Sequence, residues 1–364
     1  MKISKSGRRL SATAAVLGIS ALALAACGAA PTDSGSSSKS SAPAIDFLAC
    51  IVSDSGGFDD QSFNQSSWEG LQKAKADFGV QVKQAESKSN GDFATNLNGM
   101  VAAKCDLTYS VGFLLADATK ATATANPDSK FAIIDDSSIE LPNVKSLTYD
   151  TAQAAYLAGY VAAAQTKTGT VATFGGMKIP TVTIFMEGFA QGVAKYNEAK
   201  GKDVKLLGWD SAKQDGTFTG DFEKQDKGKQ VTQTFLDQGA DIVMPVAGPV
   251  GKGAAAAVKE ANAAGKDAAL VWVDSDGYNS ASQYKELMLT SVMKAMDTSV
   301  EDVTKQASEG KFSNEAYVGT LANGGVSIAP FHDFDSKVSD ETKKEVEDLK
   351  QQIIDGKIKA EAKN

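Results

Sequence analysis

The sequence predicts an α/β protein made of two doubly wound, Rossmann-like lobes joined by hinge strands. Short apolar runs alternate with helical patterns along most of the chain, which indicates parallel sheets with helical crossovers. Residues 45–364 form a span longer than a single hydrophobic core usually serves. A pattern of strand, glycine turn, helix, strand and terminal Asp occurs twice, at residues 106–135 and 241–274. Two lobes of similar design explain this repetition, with chance similarity between βαβ units as the alternative.

Eight strands are predicted from short apolar runs. They span residues 45–53, 80–86, 106–111, 130–135, 170–175, 204–209, 241–246 and 269–274. Between them, apolar residues recur at helical spacing, as at Trp68, Leu71, Ala74 and Phe78.

The lobes are each expected to use two segments of the chain. We assign residues 45–150 and 276–318 to the first lobe, and residues 151–275 and 319–362 to the second. Apolar side chains on one side of the charged segment 338–354 predict an amphipathic helix that docks on a lobe.

The N-terminus predicts export. Four basic residues precede a short apolar run that ends in small residues before Cys27. The run stops short of the roughly 20 apolar residues of a membrane span. We therefore predict that residues 1–26 are a lipoprotein signal peptide and that residues 27–44 comprise a lipidated Cys27 and a flexible tether. The protein is expected at the extracytoplasmic face of the cell membrane, held by its lipid.

The charge of the chain argues against several partners. Removal of residues 1–26 leaves 33 basic and 45 acidic residues, a formal net charge of −12. An acidic surface does not suit nucleic acid or anionic lipid, so we expect no nucleic-acid partner and membrane contact through the lipid anchor only. Both arginines lie within residues 1–26. The rest of the chain therefore lacks a guanidinium for bidentate binding of carboxylate or phosphate, which disfavours amino-acid, peptide and nucleotide ligands.

Few side chains are available for metal binding or nucleophilic catalysis. His332 is the one histidine, and we interpret it as a surface or packed residue. Cys50 and Cys105 lie beside strands that we expect to be neighbours, so an oxidising compartment would allow a disulfide between them. Two buried thiols are the alternative. We predict no cofactor, no metal site and no catalytic residue.

Candidate binding residues fall at the carboxyl ends of predicted strands, where doubly wound sheets bind ligands. Asp54 follows the first strand and Asp135 ends the fourth. Gly248 follows the strand at residues 241–246, and Asp274 ends the last one. Polar residues at the facing strand ends of two lobes predict a cleft around a small molecule.

The stretch SDSGGFDDQSFNQSSWEGL (residues 53–71) lacks the spacing of an EF-hand loop. Asp59 and Asp60 precede a helix, where carboxylates cap free N–H groups, and we prefer this role to an acid–base pair. Asp54, Phe63 and Asn64 are then expected to face the cleft. An aromatic ring, a carboxylate and an amide suit a flat, uncharged ligand that carries N–H and O–H groups, such as a base or a sugar.

This stretch resembles the signature of the basic membrane protein family of lipoproteins, the purine-nucleoside-binding components of ABC importers. VGFLLADAT, FAIIDD, YDTAQAAYLAGYVAA, GADIVMPVAGPVGKG and VDSDGY are also similar to that family, and the resemblance covers most of residues 45–335. It implies a type I periplasmic-binding-protein fold with three hinge crossings. It also implies permease subunits as partners, and we expect a monomer.

The resemblance implies two aromatic residues that stack on the faces of a purine base. Phe63 is one of them. Phe222, within TGDFEKQDKGK, is our choice for the other, with Trp209 and Phe218 as alternatives.

The resemblance also implies which polar residues face the nucleoside. Three would contact the base or its sugar: Asp54, Asn64 and Asp135. Three would hold the ribose: Asp274, Lys294 and the backbone around Gly248.

Other functions compete with a nucleoside receptor. A sugar receptor of the same fold is the main alternative, since aromatic rings also stack on pyranose faces. A nucleoside hydrolase would need an activated water, and the sequence offers no metal motif and a single histidine for that purpose. We therefore predict a protein without enzymatic activity. A surface adhesin or signalling lipoprotein is a third class.

Overall fold

The computed structural model describes residues 42–362, so the predicted signal peptide and Cys27 lie outside the described residues. Fourteen β-strands occur within residues 42–362: β1 (Leu48–Ser53), β2 (Gln81–Ala85), β3 (Leu107–Val111), β4 (Lys130–Ile134), β5 (Val144–Tyr149), β6 (Thr170–Gly175), β7 (Lys205–Leu207), β8 (Trp209–Asp210), β9 (Asp215–Gly216), β10 (Ile242–Val246), β11 (Ala269–Asp274), β12 (Met288–Lys294), β13 (Tyr317–Gly319) and β14 (Val326–Ile328).

Ten α-helices occur in the same part of the chain: α1 (Phe63–Phe78), α2 (Phe93–Ala102), α3 (Ala116–Ala125), α4 (Thr151–Gln165), α5 (Pro180–Lys200), α6 (Gln225–Asp237), α7 (Val250–Ala263), α8 (Gly277–Ser280), α9 (Met296–Ser308) and α10 (Asp340–Ile354).

Most strands belong to two six-stranded sheets of similar order. The first sheet runs β13-β5-β4-β3-β1-β2 and is parallel throughout. The second runs β14-β12-β11-β10-β6-β7 and is parallel except that β14 is antiparallel to β12. Central strands such as β3 and β11 are buried along their whole length, as expected when helices cover both faces of a sheet. The predicted fold class is confirmed.

All eight predicted strands are present, although β1 begins three residues later than predicted and β7 ends two residues earlier. That strand stops at Leu207 because Gly208 takes a left-handed backbone conformation, with φ at 85°. A Cβ at Gly208 would also lie 1.9 Å from the Thr173 carbonyl oxygen, so glycine is required at this turn.

The structure differs from the predicted assignment of residues 276–318 to the first lobe. β12 pairs in parallel with β11 and therefore extends the second sheet. The chain enters the first lobe only after Lys294, where α9 packs against α1. β13 then pairs with β5 at the edge of the first sheet. The apolar sequence of β12 would suit either sheet. The path of the chain before β12 determines which sheet this strand joins.

Within residues 42–362, three short segments connect the two lobes. Asp150 links β5 to α4, Ala295 links β12 to α9, and residues 320–325 link β13 to β14. The helix predicted near the C-terminus is α10, which docks on α4 of the second lobe.

Cys50 in β1 and Cys105 just before β3 form a disulfide, with their Cα atoms 5.9 Å apart. β1 and β3 are adjacent parallel strands, which brings the two residues together. The bridge lies in an apolar cluster of the first lobe that includes Leu97 and Met100. It connects positions 55 residues apart and so restricts a long loop of the unfolded chain.

We expect joint replacement of Cys50 and Cys105 by Ala to lower the free energy of unfolding by about 2–4 kcal/mol, because the unfolded chain regains the freedom of that loop. Urea unfolding of the parent and the double variant measures the difference. A reductant should destabilise the parent by a similar amount and leave the double variant unchanged. Equal midpoints for the oxidised parent and the double variant would refute a stabilising bridge.

Candidate ligand-binding cleft

A cavity lies at the carboxyl ends of strands from both sheets. Strand order reverses between β1 and β3 in the first sheet and between β6 and β10 in the second. Residues that follow β1, β3 and β10 line the cavity, which places it at the switch points where doubly wound sheets bind ligands.

All eight residues that the sequence singled out for ligand binding line this one cavity. The first lobe contributes four of them: Asp54, Phe63, Asn64 and Asp135. The second lobe contributes the other four: Phe222, Gly248, Asp274 and Lys294. Lys294 belongs to the second lobe because it ends β12.

The sequence did not reveal an apolar wall contributed by the start of α5. Ile179, Val182 and Phe185 line the cavity there. Their spacing is that of a helix face, which is also the pattern of ordinary core residues. Pro180 at the first position of α5 was the available signal, since it marks a helix that begins just after the glycine turn at the end of β6.

Asp60 fixes the start of α1. Its carboxylate accepts hydrogen bonds from the backbone N–H groups of Ser62 at 2.9 Å, Asn64 at 2.9 Å and Gln65 at 3.0 Å. Burial raises the pKa of Asp60 to about 6, and these three N–H groups oppose the rise. The predicted capping role is confirmed for Asp60. It is wrong for Asp59, which is exposed and accepts none of these bonds.

Asp54 is held by the amide of Asn64, whose Nδ2 donates to Asp54 Oδ1 at 2.9 Å. Burial raises the pKa of Asp54 to about 8; the carboxylates of Asp60, Asp135 and Asp274 add to the rise, and the Asn64 bond opposes it. Asp54 is therefore largely protonated at neutral pH and can both donate and accept a hydrogen bond. The Oδ1 atom of Asn64 is buried without a protein partner.

Gly112 allows Asp54 to approach the end of β3. A Cβ at this position would lie 2.4 Å from Asp54 Oδ2 and 3.4 Å from the ring of Phe63. The φ angle of Gly112 is 113°, a conformation that other residues rarely adopt. This glycine therefore permits both the backbone turn and the position of Asp54.

Among the described residues that line the cavity, Lys294 is the only one with a cationic side chain, and it is 4% exposed. Its ammonium lies 2.5 Å from Asp135 and 3.7 Å from Asp274. It also lies 5.0 Å from the ring centre of Phe63 and 5.1 Å from that of Phe185. Burial raises the pKa of Asp135, and the ammonium of Lys294 opposes that rise.

Asp135 and Asp274 both have left-handed backbones, with φ at 65° and 69°. Such conformations cost free energy for a residue other than glycine, and they persist only where the surrounding structure enforces them. Both residues with this unusual backbone carry carboxyl groups that line the cavity.

Hydrogen bonds hold the loop that carries Phe222. From one side of Phe222 to the other, Lys227 Nζ donates to the Thr219 carbonyl at 2.8 Å and lies 2.6 Å from Asp221 Oδ2. The ring also packs against Gly176, where a Cβ would lie 2.4 Å from ring carbons.

The two alternatives to Phe222 lie elsewhere. Trp209 is buried and donates to Glu187 at 2.8 Å, and Phe218 packs against Gly175. Neither lines the cavity.

Other polar residues near the strand ends have local partners. Asp136 accepts a bond from the Ser138 N–H at 2.9 Å. Asp276 caps α8 and lies 2.8 Å from His332, whose ring stacks on Tyr278. His332 is thus a packed residue outside the cavity.

Within residues 42–362, no three His, Cys, Asp or Glu side chains are grouped as a metal site would require. The helices of that range also include none with the length and apolar character of a membrane span.

We expect Asp54→Asn to stabilise the ligand-free protein by about 5 kcal/mol near pH 9 and to have little effect near pH 4. The pKa of Asp54 is about 8 in the folded protein against 3.8 for an ordinary Asp, so the folded state keeps a proton that the unfolded chain loses between these values. The free energy of unfolding therefore falls as the pH rises through this window. Asn still accepts the Asn64 bond but cannot ionise.

Urea unfolding from about pH 4 to pH 9 measures this difference. Asp59→Asn, which changes an exposed carboxylate five positions along the same loop, is the matched control and should follow the parent at every pH. A constant difference between Asp54→Asn and the parent across the whole range would contradict the assigned burial of this carboxyl.

Two lobes of similar design, three crossings and a polar–aromatic cavity at the facing strand ends define a two-lobed solute-binding protein. The family described as "Bmp: ABC transporter substrate-binding protein PnrA-like" matches residues 47–364. The chain therefore belongs to the Bmp family of ABC transporter substrate-binding proteins, as the sequence predicted.

Individual relatives agree with this family. The chain is 34% identical over 363 residues to the CD4+ T-cell-stimulating antigen of Listeria innocua, covering 94% of this chain and 96% of the relative. It is 34% identical over 364 residues to the ABC transporter nucleoside-binding protein BmpA of Lactococcus lactis, covering 96% and 99%. A solved ABC transporter solute-binding protein from Aeropyrum pernix is 27% identical, with a TM-score of 0.78 over 86% of this chain and 92% of that one.

Proposed function

We propose that this protein binds purine nucleosides between its lobes and delivers them to the permease of an ABC importer. The observation that carries this proposal is the composition of the cavity wall. Phe63 from one lobe and Phe222 from the other border the same space, together with carboxyl and amide groups. Aromatic rings supply stacking surfaces for a planar base, and the polar groups supply hydrogen bonds to its edge. The relative from Lactococcus lactis is named as nucleoside-binding.

Asp54 and Asn64 are proposed to contact the edge of the base. A protonated Asp54 can donate to a ring nitrogen or a carbonyl oxygen and can accept from an N–H group. The unpartnered Oδ1 of Asn64 is an acceptor that a small rotation of the amide would bring to a base N–H. A neutral carboxyl and an amide thus suit an uncharged heterocycle with both donors and acceptors.

Asp135, Asp274, Lys294 and the backbone at Gly248 are proposed to hold the ribose. Carboxylates accept hydrogen bonds from sugar hydroxyl groups, and the ammonium of Lys294 has three donors, of which Asp135 takes one. This arrangement disfavours phosphorylated ligands, because a phosphate would add negative charge beside Asp135 and Asp274 with Lys294 already paired.

The receptor is proposed to lie at the extracytoplasmic face of the membrane, anchored through a lipid on Cys27, and to act as a monomer without catalytic activity. The N-terminal sequence supports the anchor, because basic residues, a short apolar run and small residues precede Cys27. Residues 28–44 lack large apolar side chains and would act as a tether of roughly 20–25 Å.

We expect nucleosides to raise the melting temperature of protein that has been refolded to remove bound ligand. A ligand at a hundred times its dissociation constant adds about 2.7 kcal/mol to the free energy of unfolding. The panel comprises inosine, guanosine, adenosine, uridine, a nucleoside monophosphate, hexoses and amino acids. Stabilisation by purine nucleosides and not by the monophosphate supports the proposal. Stabilisation by hexoses alone would establish the sugar receptor instead.

Phe63→Ala and Phe222→Ala should each weaken nucleoside binding about 5–150-fold in calorimetric titrations, since stacking on one base is worth about 1–3 kcal/mol. Phe218→Ala is the matched control, because this ring lies close to Phe222 in the chain but outside the cavity. Equal losses in all three variants would indicate a general effect on the fold and would refute the assignment of the two stacking rings.

We also expect Cys27→Ala to move the protein from the membrane fraction to the soluble fraction of cells, because the lipid is the only proposed link to the membrane. Labelling with a radioactive fatty acid should mark the parent and not the variant. A variant that stays in the membrane fraction would exclude lipid anchoring through this residue.

A further inference from the structure

The loop between β1 and α1 is held by side chains of the second lobe. Three donors converge on the backbone carbonyl oxygen of Gln61: Trp272 Nε1 at 3.2 Å, Ser275 Oγ at 3.2 Å and Ser280 Oγ at 2.9 Å. The Gln61 side chain also pairs with Gln283, whose Nε2 donates to Gln61 Oε1 at 2.9 Å. We call these five residues the clasp, and none of them lines the ligand cavity.

The clasp joins the two lobes through direct hydrogen bonds between protein groups. Gln61 belongs to the first lobe. Of its four partners, Trp272 lies in β11 and the other three lie between β11 and β12, so all four belong to the second lobe. A separate bond supports the same junction, since Lys252 Nζ on α7 donates to the Asp59 carbonyl at 3.1 Å. Separation of the lobes must therefore break a defined set of hydrogen bonds at this point.

Gln61 has a strained backbone and lies just before cavity-lining residues in the sequence. Its φ is 63°, which is unfavourable for a residue with a Cβ and indicates that the surroundings enforce this backbone. The next residue, Ser62, donates to Asp274 Oδ2 at 2.7 Å, and Phe63 and Asn64 follow directly in the wall of the cavity. The position of Gln61 thus fixes the first turn of α1, from which two proposed ligand contacts project.

We propose that Gln61 and Gln283 are positioning residues that set the residence time of the ligand without touching it. The identity of the ligand rests on the proposed function, whereas the existence of the clasp does not. Trp272 is 1% exposed and its indole nitrogen is a donor only, and the Gln61 carbonyl is the acceptor that satisfies it. Ligand release requires the clasp to open, whereas binding begins from the open protein. Weakening the clasp should therefore change the dissociation rate more than the association rate.

The clasp itself is tested without ligand by ¹⁹F NMR of protein labelled with 5-fluorotryptophan. The chain has three tryptophans, and Trp272→Phe assigns the resonance of Trp272. Gln283→Ala should shift this resonance and increase its solvent isotope effect, while the Trp68 and Trp209 resonances stay in place. Gln233→Ala, which removes an exposed amide bonded within α6, is the matched control. An unchanged Trp272 resonance in Gln283→Ala would overturn the clasp.

The functional consequence is tested by stopped-flow measurements with inosine. Gln283→Ala and Gln61→Ala should each release inosine about fivefold faster, the effect of about one hydrogen bond, with an association rate within twofold of the parent. The double variant should be no faster than either single variant, because both remove the same pair. Release at the parental rate from Gln283→Ala would overturn the proposed role. Failure of the parent to bind inosine would refute the proposed function instead, and the ¹⁹F spectrum would still decide the clasp.

Discussion

Two buried carboxylates, Asp135 from the first lobe and Asp274 from the second, share the single ammonium of Lys294. Burying an ion without a partner costs several kcal/mol, so the ammonium and the two carboxylates stabilise one another inside the protein. The ion pair between Lys294 and Asp135 crosses from one lobe to the other, one residue before the crossing at Ala295. The geometry of the cleft therefore depends on an electrostatic contact beside a hinge.

The same ion pair divides the carboxyl groups of the cavity into two kinds. Asp135 lies against the ammonium, which opposes the effect of burial on its pKa. Burial and the surrounding carboxylates raise the pKa of Asp54 to about 8, and the hydrogen bond from Asn64 opposes the rise. One side of the cavity thus carries carboxyl groups beside an ammonium, and the other carries an acid whose raised pKa lets it donate a hydrogen bond. A ligand with hydroxyl groups at one end and a polar heterocycle at the other complements this division.

The sequence was most informative where a polar residue follows a buried strand. Asp54, Asp135 and Asp274 each end an apolar run, and parallel strands bring such ends to one edge of a sheet. The contact between Lys294 and Asp135 could not be foreseen, because it depends on β12 joining the second sheet rather than the first. The sequence likewise could not separate Asp59 from Asp60. A shift of one residue decides which carboxylate lies beneath the free N–H groups of α1.

The apolar wall from α5 was hidden for a different reason. A helix face with Ile179, Val182 and Phe185 has the same spacing whether it covers a core or a ligand. Only the meeting of two lobes turns that face into part of a cavity, and this meeting is a tertiary property.

The three crossings also dictate the order in which the molecule can be completed during synthesis. α9 and β13 belong to the first lobe but lie after the whole of β6–β12 in the chain. When the first 150 residues have left the ribosome, α1 still lacks the helix that packs against it, and β5 still lacks its outer neighbour. The first lobe can mature only after most of the second has been made. Neither lobe is therefore a single continuous segment of the chain, and contacts between distant parts of the chain should make folding slow compared with that of a helical protein of similar size.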